Sequence, residues 1–346
     1  MKLQRIITAV DSHTEGQPTR VVVGGIPPIP GSTMLEKVRY LYENRDELRT
    51  FLVHEPRGHS DMIAALITEP VSEGADFGVM YLNQGGYDTM CGHGTIGVAT
   101  VLVETGLVEA REPETEIVLD APAGVVRVKV AVRDGLVKSV TLRNVPCFVH
   151  QLDYETEVPT LGRLKMDIAF GGDLFFAYLP AASVGLELKP EWRGEIISTG
   201  MKIWDTVSQQ LQPQHPEKPQ LKGLTGVMFT GDATNPKATQ KNALVASPGL
   251  MDRSPCGTGT SGRMACLHAR GELGLNEDFI HESIIGSLFY GRLVEETKVG
   301  PCDAVVPTIT GRAWTMGIQQ FVLDPEDPFP AGFIVGKKRK VYGPWG

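Results

Sequence analysis

Short apolar runs with alternating or β-branched residues follow one another along most of the chain, separated by Gly, Asp or Pro. In residues 1–145 the runs are RIITAV, TRVVVGG, IAALIT, DFGVMYL, EIVLDAPAGVVRVKVAV and KSVTLRNV. In residues 146–327 they are KMDIAFGGDLFFAYL, GVMFTG, NALVAS, HESIIGSLFYGRLVEETKV and AVVPTITGRAW. Alternation and β-branching in runs of this length are typical of strands. The pattern therefore predicts a protein rich in β-sheet.

Helical spacing of apolar residues interrupts this pattern in two segments, MLEKVRYLYENRDELRTFL and EIISTGMKIWDTVSQQL. Each is predicted to be a helix that packs one apolar face on a sheet. A third segment, Thr95 to Thr105, is apolar nearly all round and stops at Gly106, which predicts a buried helix closed by a glycine. Hairpin turns such as Arg133-Asp134-Gly135 favour antiparallel pairing. The predicted fold class is therefore α+β with mainly antiparallel sheets.

The sequence in front of the buried helix occurs twice, as MCGHGTIG and as PCGTGTSG. The two cysteines lie 165 residues apart (256 − 91), and at that spacing Leu102 also matches Leu267 and Gly106 matches Gly271. A match that runs through a whole loop and helix indicates an internal repeat of domain size. The second loop is therefore expected to precede a helix as the first does.

The repeat predicts a chain of two related halves, with a boundary near Asn144-Val145-Pro146. A final strand is expected to return to the first half, and the basic tail KKRK onward is expected to lie in solvent. The predicted parts are the first half (residues 1–145), the second half (146–327), the returning strand (328–336) and the tail (337–346).

Composition limits the class of partner. A chain of 346 residues with 42% hydrophobic and 21% charged residues is typical of a soluble globular protein of about two domains. The net charge of −8 gives no general attraction for nucleic acid or for an anionic membrane. No apolar run is long enough for a membrane helix, and the first residues do not resemble a signal peptide. We therefore expect a cytoplasmic protein that acts on a small molecule.

The chain has five cysteines, an odd number without closely spaced pairs, which predicts reduced thiols rather than disulfides. Cys91 and His93 are the only tight cluster of cysteine and histidine, and two ligands do not make a zinc site. No metal is therefore expected. Cys147, Cys266 and Cys302 lack a glycine-rich helix start and are interpreted as structural thiols.

Both repeated loops match the pattern G-x-G-x-x-G, which raises the hypothesis of a dinucleotide-dependent oxidoreductase. That fingerprint requires its glycines directly after a strand, whereas NQGGYDTM separates DFGVMYL from the first loop. A Cys–His nucleophile pair would explain only the first loop, because Thr258 stands in the second where the first has His93. Neither alternative accounts for two loops led by cysteine.

A pair of thiols at matched helix starts does suit another chemistry. The glycines let the backbone turn tightly, and the N–H groups and dipole of the helix bind an anion and lower the pKa of a thiol there. If one loop lies on each face of a small carboxylate, one thiolate can remove a proton from the adjacent carbon and the other thiol can return one. The product is a stereoisomer. A protein that binds an amino acid without turnover remains the alternative from another class.

MCGHGTIG and DRSPCGTGTSG resemble the two signature motifs of the proline racemase family, which also contains hydroxyproline 2-epimerases and 3-hydroxyproline dehydratases. DSHTEGQPTRVVVGGIP, EPRGHSDM, DIAFGGDLF, GSLFYGR and DPEDPFPAGF extend the resemblance over nearly the whole chain before the tail. The resemblance implies the diaminopimelate epimerase-like fold. In this fold, two pseudo-symmetric halves each wrap a mainly antiparallel sheet around a central helix. It also implies that no cofactor is needed, and often a homodimer.

The same resemblance implies a role for individual residues. Cys91 and Cys256 would be the acid/base thiols, and Phe289 would line the pocket for the pyrrolidine ring. Asp252 and the side chain of His93 would contact the ring amine. The substrate carboxylate would be bound by four backbone positions, namely Gly92, His93, Gly257 and Thr258.

The resemblance leaves the substrate open. Family dehydratases typically have Thr or Ser in place of one cysteine, so two cysteines disfavour dehydration of 3-hydroxyproline. EPRGHSDM, which contains His59, is closer to the racemase pattern, and this favours proline over 4-hydroxyproline. Gly262 and Arg263 differ from the family's usual alanine and lysine, and we expect that difference to affect packing rather than chemistry. His13 is expected to be a structural hydrogen-bonding residue.

Overall fold

The computed structural model describes residues 5–336. These residues form two compact units, one made of residues 5–142 with 312–336 and the other of residues 143–311. The basic tail that the sequence indicates, 337–346, lies outside the described residues. The first unit is thus built from both ends of the described chain, and the second from its middle.

The first unit contains a mixed sheet. Its strands are β1 (Arg5–Thr14), β2 (Gln17–Gly24), β3 (Ile63–Thr68), β4 (Phe77–Leu82), β5 (Tyr87–Asp88), β6 (Glu114–Ala121), β7 (Gly124–Arg133), β8 (Leu136–Arg143) and β18 (Ala313–Leu323). β1 pairs antiparallel with β2 and β18, β3 with β4, β4 with β5, and β6 with β7, while the pairs β2–β3 and β4–β6 are parallel. Asp134 and Gly135, between β7 and β8, both have positive φ, as a tight hairpin turn requires.

The helix expected over MLEKVRYLYENRDELRTFL is two helices, α1 (Met34–Asn44) and α2 (Asp46–Val53). Arg45 separates them with a φ of −145° and a ψ of 32°, which is not helical. Apolar spacing alone did not show this break, because both helices present apolar residues to the same core. Asp46 then begins α2, where an acidic residue is favoured by the helix dipole.

The second unit has the strands β9 (Cys147–Val158), β10 (Gly162–Phe170), β11 (Phe175–Pro180), β12 (Leu224–Gly231), β13 (Gln240–Ala246), β14 (Leu250–Met251), β15 (Asp278–Glu282), β16 (Leu288–Val299) and β17 (Cys302–Gly311). Its helices are α4 (Arg193–Gln210), predicted from apolar spacing, and α5 (Gly257–Ala269). Short 3₁₀ turns cover Ala181–Val184 and Pro190–Trp192. No helix in the described part of the chain is long and apolar enough to cross a membrane.

The long strands of the second unit pair in a closed cycle, from β9 through β10, β11, β12, β13, β15 and β16 to β17 and back to β9. Only the pairs β11–β12 and β13–β15 are parallel. Helix α5 packs against β9, β10, β11, β16 and β17 and is therefore central in this unit. The predicted α+β class with mainly antiparallel pairing is confirmed.

The C-terminal part of the chain departs from the expected division. β18 pairs with β1 from Arg5 opposite Leu323 to Thr14 opposite Ala313, so residues 312–327 lie with the first unit rather than the second. The strand expected near 328–336 does not form, and only an isolated bridge joins Phe333 to Glu55 there. Prolines at 325, 328 and 330 explain this, because proline cannot donate to a strand ladder.

The helix expected after the first cysteine loop is α3 (Gly92–Glu104), and it has the same length as α5, 13 residues. Every residue from Gly92 to Val103 is buried, as the apolar composition predicts. Gly106 and Gly271 have φ values of 73° and 72°, the left-handed conformation that closes a helix. The prediction that each helix begins at its cysteine loop is confirmed.

Candidate active site

Cys91 is the N-cap residue of α3 and is only 7% exposed. Its backbone is extended, with a φ of −141°, and its carbonyl accepts the first helical hydrogen bond from Thr95 N at 2.8 Å. A Cβ atom on Gly94 would lie 2.9 Å from the ring of Tyr81 and 3.1 Å from Cys91 Sγ. Glycine is required at 94 because the helix approaches a strand and a thiol this closely.

His93 lies beside the first thiol. Its ring atoms Nδ1 and Nε2 lie 3.5 Å and 3.8 Å from Cys91 Sγ. The hydroxyl of Thr14, on β1, donates to the His93 carbonyl at 2.8 Å and so holds the first turn of α3. His93 is also one of the residues expected to bind substrate, and the structure places it in contact with the thiol.

Tyr81 lies behind this loop, on β4. Its hydroxyl forms a hydrogen bond with Thr95 Oγ1 at 2.6 Å. Burial, together with the nearby Cys91, raises the pKa of Tyr81 well above its usual range. The phenol therefore stays neutral and supports the loop as a hydrogen-bonding group.

Arg49, a residue that sequence reasoning missed, holds the segment that leads into the first loop. Its guanidinium donates to the carbonyls of Asn83 and Gln84 at 3.0 Å each, and Asp46 binds it through two hydrogen bonds of 2.8 Å. Asn83 in turn donates to Asp88 at 2.8 Å. The sequence gives no signal for this role, because a buried arginine on an amphipathic helix resembles a surface one.

Cys256 caps the N-terminus of α5 and is 6% exposed. Its φ of 63° lies in the left-handed region, which is uncommon for a residue with a side chain. Its Sγ accepts a hydrogen bond from Gly259 N at 3.2 Å. A backbone N–H that points at sulfur at a helix N-terminus favours the thiolate form.

Asp252 is linked through Ser254 to the backbone N–H of Cys256. Asp252 Oδ1 accepts hydrogen bonds from the N–H and the hydroxyl of Ser254 at 2.8 Å each. Ser254 Oγ then accepts the N–H of Cys256 at 3.2 Å. The structure thus brings Asp252 into the loop that carries Cys256.

The residues that pack against the second loop differ from those that pack against the first. A Cβ on Gly259 would lie 2.2 Å from Met228 Cε, whereas Gly94 at the matched position faces Tyr81. A Cβ on Gly171 would lie 2.0 Å from the Thr258 carbonyl oxygen, so the glycine pair of DIAFGGDLF leaves room for the first turn of α5. The repeated motif therefore sits on two different supports.

The other predicted residues fall into two groups. Gly92 and His93 follow Cys91 in the first turn of α3, and Gly257 and Thr258 follow Cys256 in the first turn of α5. Phe289 is fully buried on β16, opposite His281 of β15, and lies outside either cysteine loop in the sequence.

Two of the remaining cysteines, Cys147 and Cys266, are fully buried. Burial raises the pKa of Cys147 well above its usual range and that of Cys266 to about 12, so both thiols stay protonated at neutral pH. The Cys147 thiol donates to the Val145 carbonyl at 3.3 Å.

His13 accepts a hydrogen bond from Gly16 N at 3.2 Å, and its ring stacks on Trp314.

The chain is similar to known proteins over nearly its full length. The family model described as Proline racemase matches residues 9–334. The chain is 51% identical to the 4-hydroxyproline 2-epimerase of Streptosporangium roseum and 48% identical to the proline racemase of Clostridioides difficile, each over 97% of this chain and 100% of the relative. It resembles the crystal structure of a hydroxyproline epimerase from Agrobacterium vitis with bound trans-4-hydroxy-L-proline. That likeness has a TM-score of 0.91 and 37% identity, and it covers 97% of both chains.

A sheet-rich α+β fold with a cysteine at the start of each buried helix, together with these relatives, defines an isomerase of the racemase and epimerase class. The chain belongs to the proline racemase family.

Proposed function

We propose that this protein inverts the configuration of proline at Cα by proton transfer between the substrate and two thiols, Cys91 and Cys256. The observation that carries the proposal is that each of these buried thiols caps a buried helix of the same length. The N-terminus of a helix stabilises both a thiolate and a carboxylate. The same helix N-terminus can therefore stabilise both the catalytic thiolate and the carboxylate of the substrate.

The proposed reaction moves only protons. One cysteine, as thiolate, takes the Cα proton and becomes a thiol, and the electron pair left on carbon is delocalised into the substrate carboxylate. The other cysteine, as thiol, gives its proton to the opposite face and becomes the thiolate. The enzyme then holds the form that accepts the mirror-image substrate, so both directions use the same two groups and no redox or acyl cofactor enters the balance.

The carboxylate of the substrate is proposed to bind the backbone N–H groups of Gly92, His93, Gly257 and Thr258. Asp252 and the imidazole of His93 are proposed to hold the ring amine. Phe289 is proposed to contribute apolar surface to the ring pocket.

Epimerisation of 4-hydroxyproline at the same carbon is the second candidate. It is favoured by the 51% identical relative and by the Agrobacterium vitis structure with that ligand. One hydroxyl group separates the two substrates, and a single polar side chain can decide between them. Two cysteines rather than one disfavour dehydration of 3-hydroxyproline.

We further propose that the two halves of the chain are pseudo-symmetric, that the protein forms a homodimer and that it is located in the cytoplasm.

Polarimetry tests the proposal directly. The purified protein is incubated under reducing conditions, without added cofactor, with L-proline and with trans-4-hydroxy-L-proline in separate cells. Loss of rotation with proline is the expected result, and a change with hydroxyproline alone would transfer the assignment to the second candidate. In heavy water the inverted product should carry deuterium at Cα. Saturable binding with no change in rotation of either substrate would contradict both activities.

A further inference from the structure

His281 is a buried ionisable residue with no part in the proposed reaction. It lies on β15, is 0% exposed, and its Nδ1 is 2.8 Å from Thr260 Oγ1 in the first turn of α5. Its Nε2 has no hydrogen-bond partner within residues 5–336. A buried ring with one unpaired nitrogen is costly, so an apolar residue would be the cheaper choice unless the bond from Nδ1 matters.

The hydrogen bonds around Thr260 fix which atom carries the proton. The Thr260 hydroxyl donates to the Pro255 carbonyl at 3.0 Å. A hydroxyl has one proton, so toward His281 its oxygen must accept, and Nδ1 of His281 must be the donor. Burial lowers the pKa of His281 to about 3, which keeps the ring neutral in this tautomer across the range where a thiol reaction operates.

The Pro255 carbonyl belongs to the peptide bond that leads directly into Cys256. It accepts a second hydrogen bond, from Asn242 Nδ2, at 3.0 Å. The N–H of the same peptide donates to Ser254 Oγ at 3.2 Å. The peptide plane is therefore held at both ends, and that plane fixes the φ of 63° at Cys256, a conformation that would otherwise relax.

The first loop offers an internal comparison. Thr95 is the residue matched to Thr260, but its hydroxyl pairs with Tyr81 rather than with a histidine. Cys91 has an ordinary extended φ of −141°. The histidine is therefore found at the loop whose cysteine backbone is strained.

We propose that His281 is a positioning residue for Cys256. Its neutral ring donates a hydrogen bond to the Thr260 hydroxyl, and this hydroxyl donates to the Pro255 carbonyl. The hydrogen-bonded peptide in turn keeps the Cys256 sulfur within hydrogen-bond distance of the Gly259 N–H. The catalytic consequence of this inference rests on the proposed function, because it assigns His281 to the thiol that would exchange the Cα proton. The hydrogen bonds that position Cys256 do not depend on whether the protein turns over a substrate.

The test measures the two thiols separately in the intact protein. Alkylation by iodoacetamide is followed at Cys91 and Cys256 by peptide mass spectrometry across a pH series. In His281→Leu the Cys256 sulfur should lose its donor, and the midpoint pH of its alkylation should rise by about one pH unit. The midpoint at Cys91 should not move, and kcat for racemisation should fall at least about tenfold with KM within about twofold.

Conservative variants separate positioning from packing. His281→Asn keeps a donor near the Nδ1 position and should restore most of kcat and the Cys256 midpoint, whereas His281→Gln places its donor elsewhere and should not. Thr260→Val should reproduce the effect of His281→Leu, and Thr260→Ser should not. Thr95→Val, the matched change in the first loop, should leave the Cys256 midpoint where it is.

The proposal is overturned if the Cys256 midpoint is the same in His281→Leu and Thr260→Val as in the unchanged protein. It is also overturned if Cys91 and Cys256 shift together, which would indicate general loosening, or if the Asn and Gln variants behave alike. If the unchanged protein inverts neither proline nor hydroxyproline while the Cys256 midpoint still depends on His281, the proposed function fails and the positioning role stands.

Discussion

At the scale of single residues, the two cysteines share a motif but not an environment. Cys91 has an imidazole 3.5 Å away and an ordinary backbone, whereas Cys256 has a backbone donor at 3.2 Å and a φ of 63°. An imidazole can change its charge with pH and a backbone N–H cannot. The first thiol therefore has a neighbour whose charge can vary, whereas the second has a donor of fixed dipole.

Replacement of either thiol tests the two-base reaction. Cys91→Ser and Cys256→Ser should each lower kcat for inversion by about 10³-fold, because a serine hydroxyl is far too weak an acid and base at neutral pH. Polarimetry under reducing conditions measures the loss. Cys302→Ser is the matched control, since this partly buried thiol lies in neither loop and should retain full activity. Undiminished turnover in both loop variants would rule out the two-thiol mechanism.

The ion pair of Asp46 with Arg49 stabilises the segment that leads into the first loop, and its contribution to the free energy of unfolding can be measured. Burial by itself would raise the pKa of Asp46, but hydrogen bonds from Arg49 and Tyr87 outweigh it and lower that pKa. A carboxyl group with a lowered pKa stabilises the fold above its unfolded pKa, and this contribution disappears as the pH falls through the folded value. Asp46→Asn should therefore cost about 2 kcal/mol in free energy of unfolding at pH 7.

Denaturant unfolding at pH 7 and at about pH 3 measures this difference, which should shrink at the lower pH because Asp46 is then being neutralised in the parent as well. Glu47→Gln, next in the chain, removes a partner from the exposed pair with Arg45 and should change stability by less than about 0.5 kcal/mol. An equal cost of Asp46→Asn at both pH values would mean that the ion pair is not its source.

At the scale of elements, helix α5 packs on β11 through a glycine. A Cβ on Gly262 would lie 2.1 Å from the Tyr178 hydroxyl oxygen, and this hydroxyl is buried with no hydrogen-bond partner in the described part of the chain. The difference expected at Gly262 between this chain and the family is predicted to concern packing, and the contact with Tyr178 is where that prediction can be tested.

A double-mutant cycle at these positions tests the explanation. Gly262→Ala should cost about 1–3 kcal/mol, since an extra methyl group overpacks the contact. Tyr178→Phe should be neutral or stabilising by up to about 1 kcal/mol, because it removes a buried hydroxyl without a partner. In the Phe background the cost of Gly262→Ala should fall, though not to zero, since the ring carbon Cζ would still be 3.0 Å away. Additive costs in thermal unfolding would exclude the contact.

Local patterns predicted most of the elements, and the reason is physical. Strand alternation and helix spacing depend on neighbours within a few residues, so RIITAV, IAALIT and the buried helix after Cys91 were foreseeable. The repeated loop likewise marked both thiols. Tyr178, Thr260 and His281 were not foreseeable, because their partners lie far along the chain and no spacing rule connects them.

At the scale of the whole molecule, the same limit applies to β18. Its sequence, AWTMGIQQFVL, is interrupted by Gly and Gln, and nothing in it shows that its partner is β1. Pairing between distant segments is decided by the complete set of competing strands, which a local pattern does not contain. The division of the chain into units was therefore misplaced at its C-terminal side, where residues 312–327 join the first unit.

The pairing of β1 with β18 also determines what a shortened chain can fold. The second unit is one continuous stretch, 143–311, so a chain that ends at residue 311 contains its whole closed cycle of strands. The first unit lacks β18 in such a chain, and β1 is left as an open edge. A purified chain of residues 1–311 should therefore show a protease-resistant second unit and a protease-sensitive first unit, and equal resistance of both would contradict this expectation.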